Sequence, residues 1–456
     1  MKLILYTILI VTLVGCKKFV NIDPPKTELV PPVIFASDAA AKQAIAGLYA
    51  PLLTGYASGD NFSISYLAGL SSDELIPGSD APVDFYYNAM HPNNTAVLTL
   101  WQDPYKEIYN ANAMLEGLNA ATAVTPALKQ QLSGEAMFLR AFSYFYLVNL
   151  YGNVPLNLST DYRLNQRMPR TSKELVYNQI ITDLKTAQKL LSADYYYSDN
   201  ERVRVNKWVA TALLARVYLY RGLWSEAITQ AGIIINNTAL FKLCPLNTVF
   251  LKNSTETIWQ LSRMEGNSHD ALTFINQLNA TLSNAVVTSF ENGDKRRSGW
   301  IGSSSSGGNT VYWPTKYKAT AIAPVTEYST VFRLAEQYLI RAEAKTQLGK
   351  ITGVNSAASD LDTIRSRAGL SATTATTREE MLKAIEKERV CEFFTEWGHR
   401  WLDLKRSESF ITAGNTRADD LLKVLKVNWQ STDMLYPIPQ EEMRQNPAST
   451  QNPGYN

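Results

Sequence analysis

Residues 388–406 read ERVCEFFTEWGHRWLDLKR, a short stretch that mixes acids, bases, two tryptophans, a cysteine and a histidine. Its apolar side chains recur at steps of four, three, four and three residues, which places them on one face of a helix. They are Val390, Phe394, Trp397, Trp401 and Leu404. The stretch therefore predicts one amphipathic helix whose apolar stripe packs against the rest of the protein.

A polar set with similar spacing occupies the adjoining face of that predicted helix. These residues are Glu392, Glu396, His399 and Asp403. Glu396 and His399 form a Glu-x-x-His unit, which di-iron helical bundles carry twice, together with two further glutamates. The chain contains the unit once. We therefore expect this face to be structural, with surface ion pairs such as Glu396 with Arg400, and to have neither a metal-binding nor a catalytic role.

Composition and missing motifs exclude several classes of function. The 44 Lys and Arg residues nearly balance the 42 Asp and Glu residues, so no basic surface for nucleic acid is predicted. No Walker A, G-x-G-x-x-G, H-E-x-x-H or G-x-S-x-G motif occurs. The histidines, His91, His269 and His399, are far apart, which disfavours a zinc site, and we expect Cys244 and Cys391 to be two buried thiols rather than a disulfide.

The first sixteen residues have the layout of a bacterial lipoprotein signal. A basic start is followed by the apolar residues 3–14 and then by Gly15 and Cys16. The ending LVGC resembles a lipobox, in which the signal is cut before a cysteine that receives lipid chains. We therefore predict a signal peptide over residues 1–15 and lipid attachment at Cys16, which would anchor the protein without a transmembrane helix. A soluble secretory signal with an incidental cysteine is the alternative.

The remainder is predicted to form a tether and one helical domain. Residues 21–32 are rich in proline, so we assign an extended tether to residues 16–32 and a single domain to residues 33–456. The tail, residues 436–456, contains four prolines and is predicted to run extended over the surface.

Local signals predict several helices within the domain. Thr125, Pro126 and Gly152 frame one long helix with two apolar sides. Thr171 and Glu174 have the spacing of a capping box that opens the next helix.

Two helical hairpins resemble tetratricopeptide units. Small residues mark both of them, Ala215 and Ala227 in the first and Ala342 and Ala357 in the second. The hairpins do not recur at a multiple of about 34 residues, so the sequence predicts a scaffold interrupted by insertions rather than a regular solenoid.

Two insertions are predicted to be non-helical, the first insertion (residues 71–94) and the second insertion (residues 291–318). Both are rich in Gly, Ser, Pro and Asn, and both nevertheless carry large aromatic side chains. Long loops of this kind inside a compact domain are often functional. We therefore predict a ligand platform formed by Trp300, Tyr312 and Trp313, with Tyr86 and Tyr87 as further candidates.

Six stretches along the chain carry a resemblance to a known family. They are residues 388–406, LRAFSYFYLVNLYGNVPL (139–156), YLIRAEAKTQLGK (338–350), IRSRAGL (364–370), YPIPQEE (436–442) and QNPGY (451–455). Together they resemble the SusD/RagB family of outer-membrane lipoproteins of Bacteroidetes. CKKF (16–19) followed by DPP (23–25) is similar to the start of the mature proteins in that family.

The resemblance implies a mainly α-helical, tetratricopeptide-like scaffold with long irregular loop insertions. It also implies a lipid-anchored outer-membrane protein that faces the cell surface, captures an oligosaccharide or another nutrient, and sits as a lid on a SusC-like TonB-dependent transporter. Neither enzymatic activity nor a cofactor is expected. Lys17 and Lys18 stand where an acidic cluster is a common export cue in such lipoproteins, so the expectation of surface display rests on the family more than on these residues.

Two other functions remain open at this level. A secreted glycoside hydrolase would need two carboxylates about 5 to 10 Å apart across a cleft. Asp73 and Glu74 are adjacent in the first insertion, and we expect them to be solvated or to cap a helix. A protein-interaction scaffold without sugar binding would not need the aromatic insertions.

Replacing the predicted lipid-bearing residue tests the anchor. Cys16→Ala should move the protein from the membrane fraction to the soluble fraction, because the variant has no thiol to acylate. Membrane fractionation and immunoblotting of wild type and variant measure this. An unchanged membrane fraction would show that the protein is held there by something other than a lipid on Cys16.

Overall fold

The computed structural model describes residues 34–57, 60–263 and 266–455. The predicted signal peptide (1–15), Cys16 and the predicted tether (16–32) lie outside the described residues.

Helices dominate the structure, which confirms the predicted fold class. Their bounds are, in chain order, α1 Asp38–Tyr49, α2 Ile64–Ser71, α3 Val83–Tyr86, α4 Thr95–Ala120, α5 Pro126–Tyr151, α6 Tyr162–Asn165, α7 Lys173–Leu190, α8 Lys207–Tyr220, α9 Trp224–Ile235, α10 His269–Ala271, α11 Asn284–Ser289, α12 Lys295–Gly299, α13 Leu334–Gln347, α14 Ala357–Arg367, α15 Arg378–Phe393, α16 His399–Arg406, α17 Arg417–Leu425 and α18 Gln440–Gln445. In the described ranges, none of these helices combines the length and the hydrophobicity needed to cross a bilayer.

The strands are short and pair antiparallel in twos. They are β1 Leu75–Pro77, β2 Val154–Pro155, β3 Arg170–Thr171, β4 Thr257–Leu261, β5 Ala280–Leu282, β6 Ile301–Ser306, β7 Asn309–Pro314 and β8 Ser329–Arg333. The pairs are β1 with β5, β2 with β3, β4 with β8 and β6 with β7.

The helical scaffold is a row of helices, each packed on the next. The order of packing is α4, α5, α7, α8, α9, α13 and α14. The two predicted hairpins are α8–α9 and α13–α14, and their alanines are fully buried, which lets the paired helices approach closely. The segment between α9 and α13 contains the second insertion. The prediction of an interrupted tetratricopeptide-like scaffold is therefore confirmed.

Local signals identified α5 correctly but misplaced the start of α7. Helix α5 has Pro126 at its first position and ends at Gly152, whose φ of 74° lies in the region that favours glycine. The cap of α7 is Ser172 rather than the predicted Thr171, and its hydroxyl accepts from the Leu175 amide at 3.4 Å. Glu174 extends outward toward Arg221 instead of closing a capping box.

The stretch 388–406 is not the single helix that its periodicity predicts. Helix α15 ends at Phe393 and α16 starts at His399, and between them Thr395, Trp397 and Gly398 have φ values of 56°, 49° and 69°. A Cβ atom at Gly398 would lie 2.9 Å from the Cβ of Ala68. Positive φ values lie outside the α-helical region, so the helix is broken in this turn although the apolar spacing continues through it, and α2 packs too closely there to leave room for a Cβ at position 398.

The polar face of the stretch is buried, which makes the predicted surface ion pairs wrong. Glu392 is fully buried, and its carboxylate accepts from Arg333 at 2.5 Å, from Arg296 at 2.8 Å and from Arg367. Glu396 is buried as well and pairs with Arg333 at 2.8 Å rather than with Arg400. We call this group the buried ion cluster; its members are Glu256, Arg296, Lys316, Arg333, Arg367, Glu388, Glu392 and Glu396.

The electrostatics of Glu392 show how the cluster is stabilised. Burial by itself raises the pKa of this carboxyl, but Arg367, Arg333 and Arg296 together outweigh burial and hold the pKa well below its usual range. The carboxylate is therefore ionised in the folded protein, with a guanidinium partner on several sides.

The start of the tail belongs to the core, contrary to the prediction of a surface segment. Tyr436 and Ile438 are fully buried, and the Tyr436 amide donates to the Leu150 carbonyl at 2.8 Å. The ring of Tyr436 stacks on that of Trp401, with centroids 6.1 Å apart. The tail therefore covers α16 and the end of α5.

The two cysteines in the described part of the chain are free thiols, as predicted. Cys391 is buried, whereas Cys244 is only half-buried, with its Sγ 3.2 Å from the Ser254 hydroxyl. Burial raises the pKa of the Cys391 thiol to about 12, so this thiol is not a reactive thiolate near neutral pH.

Removing the central charge of the buried ion cluster should destabilise the fold strongly. We expect Glu392→Gln to lower the free energy of unfolding by about 3–5 kcal/mol, because three guanidinium groups would lose a buried counter-charge. Urea denaturation of wild type and variant measures the change.

The matched control lies on the same helix. Glu379 forms an exposed i, i+4 pair with Lys383, at 2.5 Å and with a side chain that is 62% exposed. Glu379→Gln should stay within about 0.5 kcal/mol of wild type. Equal effects of the two variants would contradict the importance of the buried cluster.

Candidate functional site

The structure brings the two predicted loop insertions together through short strands. Strand β1 of the first insertion pairs with β5, with Leu75 opposite Leu282, and β5 packs beside β7 of the second insertion. The prediction that the insertions are non-helical is wrong in detail. The first contains α3 and β1, and the second contains α12 and the hairpin β6–β7.

The first insertion is fastened to the stretch 388–406 by two acidic residues. Asp73 accepts two hydrogen bonds from the Arg400 guanidinium, both at 2.7 Å. Glu74 is buried, and its carboxyl accepts from the Thr395 amide in the turn between α15 and α16. The expectation that these two carboxyl groups are solvated or cap a helix is therefore wrong.

The second insertion is fastened to the same stretch by two cations. Arg296 is fully buried and donates to Glu388 at 2.6 Å and to Glu392 at 2.8 Å. Lys316 donates to the Glu396 carboxylate at 2.5 Å and to the Phe394 carbonyl at 2.8 Å. We call these contacts from both insertions the insertion clamp.

Burial shifts the titration of two groups in the insertion clamp. Burial raises the pKa of the Glu74 carboxyl to about 8, even though the Thr395 amide opposes this change. Burial also lowers the pKa of the Lys316 ammonium to about 8, although Glu396 acts in the opposite direction. The Lys316 ammonium lies 3.9 Å from the centroid of the Phe394 ring, which adds a cation–π contact.

The structure corrects the prediction for Trp300. Its ring is 1% exposed, and its indole Nε1 donates to the Leu246 carbonyl at 2.9 Å. The ring also packs edge-on against Phe250, with centroids 5.5 Å apart. Trp300 therefore belongs to the core beneath the hairpin, where no ring face is open to a ligand.

Tyr312 and Trp313 lie on β7 of the hairpin, and both rings are half-buried. As neighbours on a strand they point to opposite faces of the hairpin, so they do not form one flat platform. Trp313 lies across Gly302, where an added Cβ would come within 2.5 Å of the indole Nε1. The Arg297 guanidinium lies 4.7 Å from the centroid of the Tyr312 ring. Both rings remain predicted ligand contacts.

Tyr86 and Tyr87 lie at the end of α3 in the first insertion. Their rings pack edge-on, with centroids 5.2 Å apart, and Tyr87 is 56% exposed. The Lys426 ammonium lies 5.4 Å from the centroid of the Tyr86 ring. Within the described chain these tyrosines make no ring contact with Tyr312 or Trp313, so the predicted residues form separate sets.

His399 and Glu396, the pair with di-iron spacing, face different partners. His399 is buried with its Nδ1 3.3 Å from the Arg389 guanidinium, and burial together with nearby arginines holds its pKa well below the usual range. Across the described ranges, no group of three or more His, Cys, Asp and Glu side chains could hold a metal ion.

Sequence reasoning missed the residues of the insertion clamp. One usable signal is the row Glu388, Glu392 and Glu396, which repeats an acid at every fourth position beside an aromatic stripe. Their partners Arg296 and Lys316 occur inside an aromatic-rich insertion. Nothing in the local sequence pairs these cations with acids so far along the chain.

Two protein-family models match the chain. One is described as "Starch-binding associating with outer membrane" and matches residues 19–219, and the other is described as "SusD family" and matches residues 288–455. The chain belongs to the SusD/RagB family.

Curated relatives within this family are similar over part of their length. SusD-like protein P2 of Formosa agariphila is 31% identical over 250 residues, which cover 53% of this chain and 47% of the relative. SusD-like protein P25 of the same organism is 25% identical over 272 residues, which cover 57% of this chain and 51% of the relative. The chain thus spans about half the length of the curated relatives it matches.

Solved structures share the fold over nearly the whole chain. Surface glycan-binding protein A from Bacteroides uniformis superimposes with a TM-score of 0.79 at 23% identity and covers 91% of this chain and 99% of its own. A SusD superfamily protein from Bacteroides vulgatus gives 0.77 at 24% identity, covering 92% and 100%. A laminarin binding SusD-like protein gives 0.77 at 22% identity, also covering 92% and 100%. At these identities the likeness shows a common fold.

The buried carboxyl of Glu74 makes stability depend on pH. Its pKa rises from an ordinary 4.5 to about 8 on folding, so the folded state binds the proton more tightly than the unfolded state. The contribution of Glu74 to stability is therefore present below pH 4.5 and falls as the pH rises toward 8.

Glu74→Gln removes this titration, and we expect wild type to lose stability relative to the variant between pH 5 and pH 8. Urea denaturation of both proteins at several pH values measures the difference. A wild type that gains stability relative to the variant over that range would contradict the direction of the shift.

Proposed function

We propose that the protein is a lipid-anchored glycan-binding protein of the outer membrane that faces the cell surface and delivers oligosaccharide to a SusC-like TonB-dependent transporter. The observation that carries the proposal is the hairpin β6–β7. It presents a half-buried aromatic ring on each face. Arg296 precedes the hairpin in the chain and Lys316 follows it, and both side chains belong to the buried ion cluster.

Binding at the hairpin would require no covalent change. The apolar C–H face of a sugar ring would rest on Trp313 or Tyr312, as apolar groups do on aromatic faces. The serines of β6 from Ser303 onward are exposed, so their hydroxyl groups are available to the sugar hydroxyls. Tyr86 and Tyr87 in the first insertion remain further candidate contacts, in a set separate from the hairpin.

The insertion clamp would raise affinity by holding the hairpin in place before the ligand arrives. Ordering a mobile loop on binding costs free energy, and a loop that is already ordered avoids that cost. Arg296 and Lys316, which flank the hairpin in the chain, are buried, whereas its tip at Gly307 and Gly308 is exposed. The base is therefore rigid, and the ligand would meet the outer part of the strands.

The comparisons support binding rather than hydrolysis. One matching model is described as starch-binding, and two proteins of the same fold are named for binding laminarin or surface glycans. Asp73 and Glu74, the carboxyl groups that a glycoside hydrolase could have used here, are each held by a partner in the insertion clamp. Membership of the family supports the proposed delivery to a transporter, and the LVGC sequence that ends at Cys16 supports the proposed lipid anchor.

Binding to a screen of plant, fungal and host glycans, including soluble starch and laminarin, tests the proposal. With a glycan that binds, Trp313→Ala and Tyr312→Ala should each weaken affinity by about threefold to tenfold, the loss expected for one aromatic contact. Calorimetric titration and thermal melting measure affinity and stability separately.

Val311→Ala is the matched control, because Val311 lies on the same strand and is 43% exposed but has no ring. It should leave the affinity within about twofold of wild type. A lower melting temperature with intact affinity in Trp313→Ala would assign that ring to the core. Turnover of a glycan would favour a hydrolase, and no binding across the screen would favour a protein-interaction scaffold.

A further inference from the structure

A groove with a volume of about 540 Å³ lies between α4, residues 155–166 and α18, and no residue of the hairpin lines it. Its size is within the range of small-molecule sites, which run from about 300 to 1,000 Å³. None of the sequence-predicted ligand contacts lines it. The groove is therefore a separate concave surface that the proposed hairpin site leaves unexplained.

Two exposed tyrosines stand on different walls of this groove. Tyr109 on α4 is 52% exposed, and Tyr162 at the start of α6 is 71% exposed. Tyr105, which is half-buried, lies on the same wall as Tyr109. Large aromatic rings that remain open to solvent inside a concave surface are suited to stacking against a flat apolar ligand face.

The remaining lining is rich in amides. Gln102, Asn165 and Gln166 line the groove, and amide side chains both donate and accept hydrogen bonds. The Oδ1 atom of Asn157, which also lines the groove, is buried and has no hydrogen-bond partner among the described residues. A ligand with many hydroxyl groups matches this mixture of donors and acceptors.

The floor of the groove is fixed by hydrogen bonds from buried or half-buried side chains. Tyr105 donates to the Pro155 carbonyl at 2.8 Å. Asn112 donates to the Asn157 carbonyl at 3.1 Å, and Asn165 donates to the Ser159 carbonyl at 2.8 Å. A floor held in this way is ordered before binding, which limits the entropy that a ligand must overcome.

The charged side chains at the rim each have a partner within the protein. Lys106 lies 3.3 Å from Asp103, and Glu441 accepts from Arg444 at 2.7 Å. Glu442 accepts from the Asn446 amide at 2.9 Å. With the cations already engaged, the groove offers little attraction to a phosphate or a carboxylate, so its chemistry favours a neutral ligand.

The groove continues toward the first insertion. A second concavity of about 490 Å³ shares Leu98 and Glu441 with it and reaches Pro92 and Asn93, near the end of that insertion. Two adjoining concavities of this size offer more room than one sugar unit needs, which suits a chain of several units.

We propose that this groove is a second glycan-binding site, one that takes a neutral linear oligosaccharide with its sugar rings stacked on Tyr109 and Tyr162. The proposal goes beyond the hairpin site, and the two sites can succeed or fail independently.

Hydroxyl-radical footprinting of the purified full-length protein in detergent tests the groove residue by residue. The probes are soluble starch, laminarin, xylan and galactomannan. At least one of these polymers should protect Tyr109 and Tyr162 from oxidation by threefold or more. Tyr196 is the internal reference, because it is also 71% exposed and does not line the groove, and its oxidation should not change.

Affinity measurements with the protecting polymer complete the test. Tyr162→Ala should weaken binding at the groove by about threefold to tenfold, and Tyr196→Ala should not change it. Both side chains are exposed, so neither change should alter folding.

Each footprint outcome decides the proposal. Protection of Tyr109 and Tyr162, with or without protection of Trp313, supports the groove. Protection of Trp313 and Tyr312 alone overturns the groove and leaves the hairpin site standing. If none of the four polymers protects the groove tyrosines, the proposal is wrong. Protection seen only on intact cells, and never with a polymer, would mean that a protein covers the groove and would also overturn it.

Discussion

A carboxylate loses several kcal/mol of hydration when it is buried, and in this protein Glu392 recovers that loss only because Arg296, Arg333 and Arg367 converge on it. These arginines come from the second insertion, from β8 and from the end of α14. One carboxylate therefore ties together segments that are distant along the chain. The position of the hairpin, and through the turn after α15 the position of the first insertion, depend on the same ionic contacts.

The same nineteen residues that resemble an active site thus have an architectural role with a functional consequence. Asp73 and Glu74 hold the first insertion to this stretch, and Arg296 and Lys316 hold the second. The charged side chains of this stretch are engaged by partners inside the protein. Their strongly shifted pKa values therefore reflect burial and ion pairing rather than a role in proton transfer. A cluster of perturbed groups is in this case evidence for a rigid support.

Sequence signals predicted the structural features that neighbouring residues determine. They failed for features that depend on contacts with distant segments of the chain. The two ends of α5 were predictable, because Pro126 starts this helix and Gly152 ends it without help from other segments. The break after Phe393 was not, since the apolar period runs on while Ala68 of another helix forbids a Cβ at Gly398. Glu392 and Glu396 were taken for surface groups because their partners lie 25 to 96 residues away. Trp300 was misplaced for a similar reason: composition cannot tell a ring inside the hairpin base from one on its strands.

The tip of the hairpin has a consequence for how such a protein could be changed. Gly307 and Gly308 form the turn, with φ values of 59° and 86°, and nothing lies within 4 Å of a Cβ atom built on either. The tip is exposed and meets no neighbouring segment at these two positions, while Arg296 and Lys316 hold the base against the scaffold. The proposed recognition element is therefore a replaceable tip on a fixed base, so new ligand preferences could be introduced by grafting hairpin tips and leaving the helical framework untouched.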